Sequence, residues 1–243
     1  MPHGTPDWGL VGPKHAVYGL DDLGEHAVRV GSPHLWDRRG DVLYMTTFRE
    51  GLGTFLGGSS GAGAEVALCT GYSRQGGYCI RLRTGSTLGQ AAYIQTALPF
   101  QDPSCVGLEF SFGSEGPGTG VRDEIMWYDG ASVYRGWALY DFVSREVRYY
   151  TGVGVWVVLA TGVWRHYSQR PEHTMKLVVD MGLNEYVRLL LDELAWDMRG
   201  IPVAVALSPS PPYWSFTVYH YGTLAANVDA LLDNVIITQN EPR

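Results

Sequence analysis

From residue 41 onward, hydrophobic and polar positions alternate with a period of two, in short runs cut by glycine, proline or acidic residues. The stretch from His173 to Gly200 shows this best. His173, Met175, Leu177 and Val179 share one side, and Thr174, Lys176 and Val178 share the other. Asp180 to Asn184 supplies a turn with a glycine in it, Glu185 to Leu191 resumes as an extended run, and an acidic turn leads to a short third strand. Val106, Leu108, Phe110 and Phe112 alternate with Glu109 and Ser111, and Ile80 and Leu82 with Arg81 and Arg83. The runs EIMWYDG, YRGWALYDF, EVRYYTG and VWVVLATG then follow one another, with turns at Gly130, Ser144-Arg145, Gly152 and Gly162, and PVAVALS, SFTVYHYG and a closing strand around Val235-Ile236-Ile237 complete the chain. About twelve to fourteen strands at this spacing predict an all-β, two-sheet antiparallel sandwich. Residues 51–64, GLGTFLGGSSGAGA, read as a glycine-rich surface loop without the order of a phosphate loop.

Residues 1–40 break the pattern. Pro2, Pro6 and Pro13 suit an extended arm, with Trp8 and Tyr18 as isolated aromatic anchors. Leu20, Leu23, Ala27 and Val30 recur at helical spacing and predict a short helix that Gly31 would end. The chain therefore divides into an arm and linker over 1–40 and a jelly-roll domain over 41–243.

Composition narrows the function. The 243 residues are 45% hydrophobic and 18% charged, enough for a sizeable core, and 31 glycines with 15 Tyr, 8 Trp and 7 Phe favour sheets. A formal net charge of −7, with Arg38-Arg39 as the only basic doublet, argues against a nucleic-acid partner. The N-terminus has no signal-peptide pattern, and no apolar run is long enough for a membrane helix. The expected location is a virion or virus-like particle surface, or otherwise the cytoplasm. Cys69, Cys79 and Cys105 make no disulfide framework. Cys69 and Cys79 could face each other across a hairpin, and small buried hydrophobes is the alternative reading favoured for all three.

Catalytic and metal constellations are sparse. A retaining glycosidase needs two carboxyls about 5 Å apart. Asp123, Glu124 and Asp129 are the nearest set, but Asp123 reads as preceding its strand and Asp129 as a turn residue. The seven histidines form no HxH or HxxxH pair, and no cofactor is expected. Asp192, Asp197 and Asp233 are the carboxylates nearest to a structural calcium site. Ser59 and Ser60 sit in the glycine-rich loop, a poor place for a nucleophile, and the protein is expected not to be an enzyme.

Aromatic residues carry the remaining signal. Trp127, Tyr134, Trp137, Tyr149 and Trp164 fall in one window, and Tyr213 and Trp214 follow two prolines at a rigid turn. Neighbours such as Trp127-Tyr128 and Tyr149-Tyr150 point to opposite faces of a strand, so one of each pair faces outward. Rings of this kind serve either as sugar platforms or as subunit contacts.

The segments HTMKLVVDMGLNEYVRLLLDELAWDMRG and LLDNVIITQNEP resemble the concanavalin A-like lectin/glucanase superfamily in its laminin-G-like and pentraxin-like branch. The resemblance rests on His173-x-x-Lys176-Leu177, on Tyr186-x-x-Leu189-x-Leu191-Asp192, and on Asp233-Asn234-Val235 near the end. It implies a jelly roll and marks no ligand. The Glu-x-Asp strand of the family's hydrolases is absent. The segments MPHGTPDWG, DLGEHAVRVGS and WDRRGDV resemble the start of tailed-phage structural proteins. That likeness implies a virion component, on the capsid surface or in the tail, whose arm clasps a neighbouring subunit in a homo-oligomer, a trimer ahead of a dimer. The alternative is a carbohydrate-binding module or adhesin, and a glycan-active enzyme is the third reading.

Overall fold

The computed structural model describes residues 40–243 except 71, 75–76, 100–102, 117–118, 153–154 and 223–226. The arm with Trp8 and Tyr18 and the short helix lie outside the described residues, and so do residues 223–226 of TLAANVDA. Among the described residues, sixteen strands form between Asp41 and Gln239. In chain order they are β1 (Asp41–Thr46), β2 (Leu56–Ser59), β3 (Glu65–Thr70), β4 (Tyr78–Arg83), β5 (Ala91–Leu98) and β6 (Cys105–Ser114). Next come β7 (Thr119–Tyr128), β8 (Ser132–Asp141), β9 (Glu146–Gly152), β10 (Val155–Ala160) and β11 (His173–Asp180). The last are β12 (Glu185–Leu191), β13 (Leu194–Asp197), β14 (Ala204–Leu207), β15 (Tyr213–Gly222) and β16 (Asp229–Gln239).

The strands form two antiparallel sheets of eight. The first runs β13-β12-β11-β6-β16-β4-β3, with β1 on the far half of β16, and the second runs β10-β9-β8-β7-β15-β5-β2, with β14 on the first half of β8. Neighbours such as β6 and β16, or β7 and β15, are far apart in sequence, which is the jelly-roll crossing pattern of a sandwich. The period of two puts Leu108, Phe110 and Phe112 of β6 and Met175, Leu177 and Val179 of β11 inward from the first sheet. They meet Ile125, Phe216, Val218 and Trp214 from the second, all without accessible surface.

The meander from His173 to Asp197 forms as its pattern predicts, with the turns at Asn184 and Asp192 in the left-handed region. Two local expectations change. Leu56–Ser59, expected inside a loop, is the edge strand β2 paired with β5. Cys69 and Cys79 sit opposite each other in the β3–β4 pair and are joined by a disulfide, so the hairpin pairing holds and the reading as buried thiols fails for these two. Cys105 is free and half-buried, and burial pushes its thiol up to about 12.

The outer face of the first sheet is sealed. Lys176 Nζ lies 2.8 Å from Glu241 Oε1, and the other oxygen of Glu241 pairs with Arg188. Arg74 reaches over the same face. Its backbone N–H donates to Asp233 at 2.8 Å, and its guanidinium donates to Ser111 and Thr174 at 3.2 and 3.1 Å. Buried charges of this kind need such partners to offset their desolvation.

Candidate functional site

The outer face of the second sheet is different, because the Tyr93, Trp137, Trp156 and Tyr219 rings and the Arg122 and Arg135 guanidinium groups remain half-exposed there, while Tyr150 is buried. Strand parity decides which residues reach it. On β7, Val121, Ile125 and Trp127 point inward, so Arg122, Glu124, Met126 and Tyr128 point outward. The pairing then defines a cross-strand row. Gln95 lies beside Thr217, Thr217 beside Glu124, and Glu124 beside Trp137. Trp137 continues onto Tyr150, with ring centroids 4.4 Å apart, and Tyr150 pairs with Trp156. A parallel row carries Tyr93, Tyr219 and Arg122.

Arg122 is the centre of this surface. Its Nη2 lies 2.7 Å from Glu124 Oε1, and its guanidinium sits 4.2 Å from the Tyr219 ring centroid and 5.4 Å from that of Trp137. Arg135 lies 5.7 Å from the same Trp137 ring. Planar guanidinium groups stack on rings in this way and keep their forks pre-organised. Two glycines make room for further rings. A Cβ on Gly58 would come within 2.3 Å of the Tyr93 ring, and one on Gly120 within 2.3 Å of Tyr221. The glycine content of β2 thus lets Tyr93 lie across the sheet edge, 4.8 Å from Tyr219.

Glu124 is 2% exposed, and burial pushes its carboxyl up to about 7 against the opposing pull of Arg122 and Arg135. Its neighbours across the row and along the strand are Thr217, Trp137, Arg122 and Met126, none of them acidic. The expectation that Asp123 precedes its strand is corrected, because β7 begins at Thr119 and both acids lie within it. Asp123 points between the sheets with no accessible surface. Its Oδ1 accepts from the Ala138 N–H at 2.9 Å, and its Oδ2 has no hydrogen-bond partner among the described residues.

Burial holds the Asp123 pKa well above the usual carboxylate range. The folded state therefore keeps a proton that the unfolded state loses above its ordinary pKa, and stability falls as pH rises from about 4 toward the folded value. Asp123→Asn retains the acceptor and supplies a permanent donor. It is expected to raise stability at pH 8 by about 1–3 kcal/mol and to flatten the pH profile. Denaturant melts of both proteins at several pH values check this, and an unchanged slope rules out a protonated Asp123.

The sequence candidates divide. Trp137 lies in the outer row, and Tyr213 stacks on Tyr128 with centroids 4.3 Å apart on the same face. Trp127 packs against the core and stacks on Tyr134 at 4.9 Å. Tyr149 also packs against the core, edge-on to Tyr186 at 5.8 Å. Trp214, expected at an exposed turn, has no accessible surface, because β15 begins at Tyr213 and its second position faces inward. Trp164 is 59% exposed but sits on the connection between β10 and β11, away from the row. Arg122, Glu124, Arg135, Tyr93 and Tyr219 were not singled out as ligand contacts in the sequence. The readable signal was the spacing of Arg122 and Glu124, two apart on one strand face.

Other candidates are committed elsewhere. His173 is engaged at both ring nitrogens, with Nδ1 2.9 Å from Asp192 Oδ2 and Nε2 donating to the His166 carbonyl at 3.0 Å. Asp192 also takes the Thr174 N–H, Asp197 holds Arg199, and Asp233 holds the Arg74 N–H, so these three carboxylates do not converge. Among the described residues no group of three or more His, Cys, Asp or Glu could hold a metal ion, and no helix is long and apolar enough to cross a membrane.

No family model matches this chain, and no curated protein matches it. Solved structures share its fold. A protein of unknown function with a galectin-like fold from Bacillus subtilis covers 84% of this chain and 99% of its own, with a TM-score of 0.51 and 13% identity. An endo-β-1,4-glucuronan lyase from the fungus Trichoderma reesei covers 83% and 94%, with a TM-score of 0.53 and 11% identity. The carbohydrate recognition domain of Emp46p covers 81% and 94%, at 0.48 and 12%. The protein is thus an all-β jelly-roll sandwich of the galectin and concanavalin A-like kind. The likeness of residues 1–40 to phage structural proteins is not shown by these comparisons, and the described residues carry nothing that bears on a virion location.

Proposed function

We propose that this protein is a carbohydrate-binding domain that takes its glycan on the outer face of the second sheet and leaves it chemically unchanged. The supporting observation is the row Gln95, Thr217, Glu124, Trp137, Tyr150 and Trp156, in which Gln95, Trp137 and Trp156 are half-exposed and Thr217, Glu124 and Tyr150 are buried between them. Apolar sugar faces stack on rings, and sugar hydroxyls need the donors and acceptors interleaved with them. On the outer face of the first sheet, Lys176, Arg188 and Arg74 are already committed to Glu241, Asp233, Ser111 and Thr174. The glucuronan lyase has the same sandwich and, by its name, acts on a polysaccharide. The present reading keeps a polysaccharide ligand and omits the chemistry. Glu124 stands without the second carboxyl that hydrolysis requires.

A glycan array followed by isothermal titration tests the reading. Trp137→Ala should weaken the best ligand by at least about tenfold, as loss of a central ring does at a binding surface. Trp164→Ala, also a tryptophan but off the row, should leave affinity unchanged. Equal effects of the two changes would overturn the placement of the site. Recovery of shortened or unsaturated chains would overturn its non-catalytic character.

A further inference from the structure

We infer that this face is built for an acidic polysaccharide, one whose sugar-ring carboxylates seat against Arg135 and Arg122. The inference rests on the glycan-binding reading and adds the ligand's chemical class. Three observations carry it. First, a chain of net charge −7 places Arg122, Arg135 and Arg148 on adjacent strands of one face. Arg148 is paired with Glu146 and Arg122 with Glu124, whereas Arg135 forms no ion pair within 4 Å among the described residues, lies against the Trp137 ring and acts on Glu124 only from a distance. Second, buried polar atoms there have no hydrogen-bond partner: Arg122 Nε, Arg135 Nε, Trp137 Nε1, Thr217 Oγ1 and Glu124 Oε1. Three of the five can only donate, so donors outnumber acceptors in the set. Third, Arg122 is fixed between two rings, so its fork is already oriented. Neutral hydroxyls can satisfy single donors. An ionised carboxylate is acceptor-only, matches a guanidinium fork in a bidentate manner, and is held by stronger, charge-assisted bonds.

Glu124 couples this site to pH. It is faced by Arg122 on its own strand, Arg135 from β8 and Tyr219 and Thr217 from β15, with Tyr128 close enough to feel its charge. With its carboxyl pushed up to about 7, it is partly neutral near neutral pH, and in that form it leaves Arg122 free for a ligand. A ligand carboxylate beside it favours the protonated form further, so binding takes up a proton. Affinity then rises as pH falls from about 8 to about 6 and levels off below.

The test titrates the full chain with cello-oligosaccharides, with the same oligosaccharides oxidised to the carboxylate at C6, and with poly-glutamate. The oxidised chain should bind at least about tenfold more tightly than its neutral parent. Arg135→Gln should erase that preference, and Arg135→Lys should restore part of it, which separates lost recognition from lost folding. Glu124→Gln should hold the low-pH affinity across the whole range. Equal affinity for the neutral and oxidised chains, or equal binding of poly-glutamate, overturns the acidic-glycan inference while glycan binding stands. No binding to either oligosaccharide or to any glycan on the array overturns the glycan reading itself.

Discussion

Trp214→Ala is expected to lower stability by about 4 kcal/mol, within the range for emptying a buried tryptophan site. For a chain of this size that corresponds to a fall in Tm of roughly 10 °C. The side chain has no accessible surface, and its ring lies 6.1 Å from those of Trp127 and Phe216 between the two sheets. The cavity would open among the Trp127 and Phe216 rings, where neighbours relax only in part. Trp214→Phe should cost about half as much, because a ring remains. Glycan affinity measured well below the melting temperature should be unchanged in both. Urea unfolding followed by far-ultraviolet circular dichroism gives the stability change. A stable variant that no longer binds glycan would mean that the faces of β15 are assigned the wrong way round.

The first two strands of the meander were legible almost to their ends, because β11 alternates and Asp180 to Asn184 leaves only one short connection, whereas the irregularity that puts Tyr186, Leu189 and Leu191 of β12 in the same core was not. β2 was not legible, because its glycines carry no alternation. They are there so that Tyr93 can lie across Gly58, a fact about a neighbouring strand. The candidate site was half legible. The aromatic window pointed to β7, β8 and β9, and alternation required one of Trp127 and Tyr128, and one of Tyr149 and Tyr150, to face outward. Parity alone cannot say which. Starting the strand at Glu124 hid the answer. With the strand starting at Thr119, Val121 and Ile125 fix the inner face and put Arg122 and Glu124 outside. Buried ionisable groups look like solvated turn residues in a sequence, since nothing local records what the other sheet and neighbouring strands will cover.

Tyr186→Phe is expected to cost about 3 kcal/mol although it removes a single oxygen. Tyr186 belongs to the first sheet, yet its hydroxyl crosses the core to the backbone of the second. It accepts from the Trp137 N–H at 2.9 Å and donates to the Tyr150 carbonyl at 2.7 Å, with the Trp137 carbonyl 3.1 Å away. Burial pushes the phenol's pKa up, so it remains a neutral donor across the working range. Phenylalanine would leave a buried N–H and a buried carbonyl without their partner, and unmade buried bonds cost more than made ones contribute. Trp137 and Tyr150 are also consecutive members of the outer aromatic row. The Tyr186 hydroxyl therefore sets the spacing of the platform from behind, and its loss should weaken glycan binding at temperatures where the variant stays folded. Near-ultraviolet circular dichroism should show the altered Trp137–Tyr150 contact, and titration should show the lower affinity. Full affinity in a destabilised variant would confine the role of Tyr186 to holding the sheets together, and full stability would remove its hydroxyl from the tie altogether.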